Sequence, residues 1–348
     1  MARLDPPAPK FKVAPTMADV ARVAGVSAMT VSRALREDGS VSKATRARVL
    51  EVIDDLGYVP DQAAGALSSG RSGLVGMIAP SFTSAMHGQV ARGLNATLTK
   101  AGLQLFIGFA DFQEEREEQA LEALLRRRPE AVVLSGGRHT AKVTRMLANA
   151  AVPVVEFFCS PEAPMQHVVA VDLRGAGRLA AERLAARGRR SLVVLGESDG
   201  FDVATQERAR GACDEAARRG LPEPTMICGA GAVTPIDFGA HVVAEMLTRR
   251  PDVDGVICFN DGVAIGVIAG LRRLGRRVPD DVAVIGFGDH EVGRHLDPAL
   301  TTIGFNAPAL GVEVGKVLLS AFEAVRGSEE AKPYRLSLGV ELVGRDSA

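Results

Sequence analysis

Tryptophan is absent from the 348-residue sequence, cysteine occurs only four times, and neither sign of charge is in excess. Cys159, Cys213, Cys228 and Cys258 stand 15 or more residues apart and form no CxxC pair. A secreted disulfide scaffold is thereby excluded, and a reduced compartment, the cytoplasm, is expected. No apolar stretch approaches the roughly 20 residues that cross a bilayer. The opening MARLDPPAPKFK lacks the apolar core of a secretion signal, so no membrane partner is expected. With 41 Lys and Arg against 42 Asp and Glu, the net charge of −1 excludes a uniformly basic nucleic-acid coat. What is present is length and apolar material. The chain is long enough for two or three packed units, and 47% hydrophobic residues supply their cores.

Charge becomes informative when counted by segment. Residues 10–48 hold eight basic side chains (Lys10, Lys12, Arg22, Arg33, Arg36, Lys43, Arg46, Arg48) against Asp19, Glu37 and Asp38, a local excess of five positive charges. The first 15 residues are rich in Pro and Ala and read as a disordered leader. From Thr16, a cap candidate, Asp19 suits the first turn of a helix, and Val20, Val23 and Ala24 are expected on one face. Gly25 breaks that helix and Ser27 caps a second, whose buried stripe is Val31, Ala34 and Leu35. A third helix runs from Ser42 through Val49, Val52, Ile53 and Leu56 to Gly57. This is helix-turn-helix grammar.

With the stripe turned inward, the second helix exposes Ala28, Met29, Ser32, Arg33 and Arg36. Small residues let a helix approach base edges in a groove, and an arginine fork suits guanine O6 and N7. Thr30 and Ser32 carry hydroxyls suited to phosphates. Periodicity alone fits equally well an ordinary all-α helix pair with a solvated Arg33.

The run TMADVARVAGVSAMTVSRAL (16–35) goes further: it closely resembles the N-terminal signature of the LacI/GalR family of bacterial transcription regulators. LGYVPDQAAGAL (56–67) resembles that family's hinge segment. The resemblance implies that Ala28, Met29 and Arg33 read bases, that Ser27, Thr30 and Ser32 touch phosphates, and that Ala64 and Leu67 enter the minor groove. An apolar wedge such as Leu67 would unstack a base step, although linker packing is the other use for such a residue. A hinge helix over 61–69 is too short to stand alone and is expected to order only when two copies pair on DNA. The family commonly has Asn-Arg after the hinge proline, where this chain has Asp61-Gln62. An acidic residue there would repel phosphate.

After Ser72 short apolar runs alternate with amphipathic stretches. LVGMIAP (74–80), LQLFIGFA (103–110), AVVLSG (131–136) and VPVVEFF (152–158) are apolar on both faces and read as buried parallel strands. Helical patterns lie near 86–101, 114–128 and 140–150, and the alternation recurs beyond Asp172. There, strands are expected at 192–195, 226–228, 255–259 and 282–287, and helices near 174–187, 202–219, 236–249 and 262–274. Two similar halves predict two doubly wound α/β lobes facing each other across a cleft. The resemblance implies the same architecture, a periplasmic-binding-protein-like core with three crossovers. The expected domains are a helix-turn-helix head at 16–59, a hinge at 60–71 and an effector-binding and dimerisation core at 72–348. Within the core, the N-terminal lobe takes about 72–172 and 305–330, and the C-terminal lobe about 173–302 and 333–346.

The polar candidates at strand ends are Ser81, Arg138, His139, Asp172, Arg208, Asn260 and Asp289. The family pattern makes Arg208 a pocket cation and Asn260 a pocket amide, while a helix cap is the plainer use of Asn260 and of Asp261. Where the family often has two acids after an aromatic, this chain has Gly286-Phe287-Gly288-Asp289, so one hydroxyl-binding carboxylate is missing. LSGGRHT (134–140) puts Arg138 and His139 at a strand end and is similar to the same part of gluconate operon repressors. Two cations, fewer acids and no tryptophan to stack on a neutral ring favour an anionic effector such as a sugar acid. A neutral sugar is the alternative, with Arg138 solvated and His139 a satisfied cap.

Enzyme signatures are missing. GAGAV at Gly229 lacks the third glycine of a dinucleotide fingerprint, and no GxxxxGK[ST] or GxSxG occurs. His290-Glu291 is followed by His295, one residue too far for HExxH, so no metal and no cofactor are expected. A sugar-binding sensor without specific DNA binding is the other rival, and the N-terminal helix-turn-helix argues against it. The expected protein is a homodimeric, ligand-controlled regulator of pseudo-palindromic double-stranded operator DNA.

Overall fold

Three short amphipathic helices, none long enough to be stable alone, bury their stripes against one another in the first unit. The structure is a computed structural model describing residues 14–35, 41–60, 71–81, 85–196, 203–229, 234–326 and 332–348. Its contacts divide the chain into Met1–Ser72 and Gly73–Ala348.

Helix α1 (Met17–Ala24) opens on a capping box. The Thr16 hydroxyl accepts from the Asp19 amide while the Asp19 carboxylate accepts from the Thr16 amide at 3.0 Å. Gly25 closes the helix in the left-handed region, at φ 65°, a conformation that favours glycine. Ser27 caps α2 (Ala28–Ala34) by accepting from the Thr30 amide, and Ser42 caps α3 (Lys43–Leu56). Val20, Ala21, Ala24, Val31, Ala34, Val49 and Val52 form the core. Val23, expected on the inner face, is 47% exposed. The stripe follows positions 17, 20, 21 and 24, so Ala21 takes the inward place and Val23 falls on the flank. The hinge stretch 61–69, with Ala64 and Leu67, lies outside the described residues, as does Arg36.

The second unit consists of two six-stranded sheets. The N-terminal lobe carries β1 (Leu74–Ala79), β2 (Gln104–Phe109), β3 (Ala131–Ser135), β4 (Val154–Phe158), β5 (His167–Val171) and β11 (Arg335–Leu338), in the order β11-β5-β4-β3-β1-β2. The C-terminal lobe carries β6 (Leu192–Gly196), β7 (Thr225–Cys228), β8 (Gly255–Cys258), β9 (Ala283–Phe287), β10 (Thr301–Gly304) and β12 (Glu341–Val343), in the order β12-β10-β9-β8-β6-β7. Among the described residues every strand pair is parallel except β10 with β12. The chain passes between the lobes three times: after β5, after β10 and between β11 and β12. The stretch 333–346, expected wholly in the C-terminal lobe, is therefore shared. β11 pairs with β5, and its Leu336 and Leu338 pack on the core there. The β2 run also departs from a strand buried on both faces. It forms the edge of its sheet, leaving Phe106 and Ile107 exposed.

The helices are α4 (Ala85–Lys100), α5 (Glu114–Leu125), α6 (Ala141–Ala150), α7 (Leu173–Ala186), α8 (Val203–Arg218), α9 (Pro235–Arg249), α10 (Asp261–Arg273) and α11 (Ala307–Arg326). Three pairs cross through reciprocal glycines. A Cβ at Gly93 or Gly311 would strike the α11 or α4 backbone. Gly177 and Gly211 stand in the same relation for α7 with α8, and Gly239 and Gly266 for α9 with α10. The backbones approach so closely that alanine does not fit without displacement. Through Gly177 this close approach sets the position of α8 at the Arg208 carbonyl.

Candidate functional site

In the first unit, capping uses part of the hydroxyl set. The hydroxyls of Ser27 and Thr30 lie 2.9 Å apart, and the Ser27 oxygen also takes the Thr30 amide. Ala28, Met29 and Arg33 are exposed and Ser32 is half-buried. The helix thus buries Val31 and Ala34 while its other face carries one apolar, flexible side chain and one arginine.

In the second unit a cavity lies at the C-terminal strand ends, between the lobes. It encloses about 80 Å³, several times the roughly 10–15 Å³ that one water requires. From the N-terminal lobe Ser81, Met86, His87, Ser135 and Phe158 line it; from the C-terminal lobe Arg208, Phe259, Asn260, Phe287 and His290 do so. Arg208 on α8 is buried, with its guanidinium carbon 4.6 Å from the ring centres of both Phe259 and Phe287. Two ring faces pack against the cation. Phe287 stacks in turn on Phe305 at 5.4 Å and meets Phe158 edge-on at 6.2 Å.

Asn260 caps α10 through Oδ1, which accepts from the Val263 amide at 2.9 Å, and the residue also lines the cavity. Its amide nitrogen is not used by that cap. Asp261, read as a cap, is instead buried below. It accepts from Thr302 Oγ1 and from the His290 amide, both at 2.6 Å, and burial raises its pKa. On the opposite wall His87 Nε2 lies 3.2 Å from Ser135 Oγ. Burial lowers the His87 pKa to about 4, so the ring is neutral near pH 7.

Residues 16–61 match the bacterial regulatory proteins of the lacI family, and residues 181–348 match a periplasmic binding protein-like domain. The HTH-type transcriptional regulator GntR of Escherichia coli is 31% identical over 332 residues, covering 95% of this chain and 98% of its own. The chain belongs to the LacI family. Among solved structures, a LacI family regulator from Silicibacter pomeroyi superposes with a TM-score of 0.85 at 32% identity, covering 96% of this chain and 99% of that one. The transcriptional regulator CelR in complex with cellobiose gives 0.70 at 29% identity, covering 96% and 100%. The relatives are HTH-type transcriptional regulators and not enzymes, and one of them, CelR, is solved in complex with cellobiose. Among the described residues of this LacI-family protein, no helix is long and apolar enough to cross a membrane.

Within the LacI-family core, the strand-end candidates separate. Ser81, Arg208 and Asn260 meet at the cavity. Arg138 lines an adjoining cleft with Gln113, Glu114 and Glu117. His139 lines neither. Its Nδ1 lies 2.8 Å from Glu117 Oε1 and its Nε2 3.8 Å from Glu156 Oε1, so both nitrogens face carboxylates inside the lobe. Glu156 is buried, which raises its pKa. Asp172 caps α7, accepting from the Gly175 amide at 2.8 Å. Asp289 is engaged by Arg294 at 3.2 Å and by Arg345. Gly288, where an acid was missed, has φ 121°, so an L side chain there would be strained.

Sequence reasoning passed over His87, Ser135 and the four phenylalanines Phe112, Phe158, Phe259 and Phe287 that line the cavity. A lone histidine on a helix carries no local signal. The aromatics had one: Phe158, Phe259 and Phe287 each end or follow a strand, where parallel sheets place their ligands.

Proposed function

We propose that this LacI-family regulator binds a pseudo-palindromic operator as a homodimer and answers to an anionic sugar, a sugar acid such as gluconate. One observation carries the effector assignment. Arg208 is the sole Lys, Arg, Asp or Glu among the described cavity residues, so the wall has a cation and no carboxylate. An arginine on a wall whose described lining holds no carboxylate favours a charged acceptor from the ligand. Ser81 and Asn260 are the accompanying hydrogen-bonding groups. Arg138 lines the adjoining cleft and in this proposal meets a longer ligand.

A neutral sugar is the second reading, favoured by the ring faces of Phe112, Phe158, Phe259 and Phe287 and by the cellobiose complex of CelR. Calorimetry with gluconate, other sugar acids and neutral sugars decides between them. Gluconate or a close relative is expected to bind tightest, and tight binding of a neutral sugar alone overturns the acid assignment.

On the DNA side, Ala28, Met29 and Arg33 are the base readers in this proposal, and Ser27, Thr30 and Ser32 the phosphate contacts. Exposure of Met29 and Arg33 on one face of α2 supports it. Ala64 and Leu67 complete it as minor-groove residues. Two tethered heads reading two half-sites combine their free energies through effective concentration. Arg33→Ala is expected to reduce preference for an operator over random DNA by about ten- to a hundredfold. Fluorescence anisotropy on an operator recovered by selection measures it, and an unchanged ratio removes Arg33 from the reading set.

A further inference from the structure

His87 is 6% exposed and stands on the cavity wall. Its ring is fixed on two sides: Nε2 lies 3.2 Å from Ser135 Oγ, and the ring meets Phe157 in a T-shaped contact at 6.3 Å. The other nitrogen, Nδ1, is enclosed and has no hydrogen-bond partner among the described residues. A buried polar atom left unmade is costly, so a ring held this firmly beside a ligand cavity calls for a partner from the ligand.

We infer that His87 reads the hydroxyl-bearing end of the effector, orienting a polyhydroxy acid with its hydroxyls on the N-terminal lobe and its carboxylate at Arg208. This inference rests on the sugar-acid reading above. A neutral imidazole offers one donor and one acceptor. Whether Nε2 gives a proton to Ser135 Oγ or takes one from it, Nδ1 is left as an acceptor or a donor, and a hydroxyl, which both gives and takes a hydrogen bond, suits either case. A carboxylate only accepts. Burial opposes the imidazolium, which would compete with Arg208 for the anion. The two walls are thus unequal, and the ligand has one way round.

The test is a cycle on the full-length protein, by calorimetry, with gluconate, its monodeoxy analogues and glucitol against wild type, His87→Phe and His87→Asn. Thermal melts show whether each variant is folded. Wild type is expected to bind gluconate about tenfold more tightly than His87→Phe does. One deoxy analogue is expected to bind wild type about tenfold more weakly and to be indifferent to His87→Phe. His87→Asn, with an amide near the place of Nδ1, recovers most of the loss. Equal weakening of every analogue by His87→Phe, or gluconate affinity unchanged by it, overturns the role of His87. Glucitol binding wild type better than gluconate overturns the sugar-acid reading and the orientation, and the His87→Phe effect on glucitol then decides the hydroxyl role. No binding of any of these compounds to wild type overturns both.

Discussion

The two lobes share a strand order and differ in what they bring to the cavity. The N-terminal lobe offers Ser81, His87 and Ser135, hydroxyls and a neutral ring. The C-terminal lobe offers Arg208, packed against two phenyl faces, and Asn260. Both sheets direct their C-terminal strand ends to the same space, so the fold determines where a ligand sits, and a few side chains determine its chemistry. Two similar halves thereby make an asymmetric receptor.

The largest expected effect removes the charged side. Arg208→Met should weaken gluconate at least about a hundredfold, since losing a buried charged hydrogen-bonding group costs about 3 kcal/mol. Binding of the unliganded protein to operator should be kept. Titration calorimetry alongside anisotropy measures both, and unaltered gluconate affinity would erase the contrast between the walls.

On the neutral side the expected signature is in stability. His87 has a folded pKa of about 4 against 6.5 for the free side chain, so between those values the unfolded chain binds more protons than the folded one. Stability contributed by the neutral ring is complete above about pH 6.5 and is lost as pH falls toward 4, by up to about 3 kcal/mol. Melts of His87→Phe across this window should be flatter than those of wild type; parallel curves would show that the ring is not held neutral.

A smaller effect tests how packing supports each wall. Gly177→Ala, against the Arg208 carbonyl, and Gly93→Ala, against the Pro308 carbonyl, should each cost about 1–3 kcal/mol by overpacking. Gly177→Ala should also reduce gluconate affinity the more, because the helix it displaces carries the cation. Equal affinities in the two variants would show that the charged wall is no more sensitive to position than the neutral one.

Most of the α/β pattern was legible because a parallel strand buried on both faces is a plain apolar run, as in 74–79 and 131–135. The short strands β5, β10, β11 and β12 were not read, and β11 alternates like a half-exposed edge. The head was legible through its caps, Thr16, Ser27 and Ser42, which act within four residues. The site was harder. Arg208 and Asn260 could be singled out by family pattern, whereas the partners of His139 come from α5, 22 residues away, and from β4. His87 gains its meaning from Ser135, 48 residues distant. Local periodicity carries none of those distances.

The glycine crossings leave the paired helices no slack. The chain passes from one lobe to the other around 171–173, 304–307 and 338–341, so any movement of one lobe against the other must turn on those torsions. Those few torsions act as the pins of a clasp. Stiffening them with a proline at a compatible position would freeze the clasp ajar or shut without touching a single group that meets the ligand.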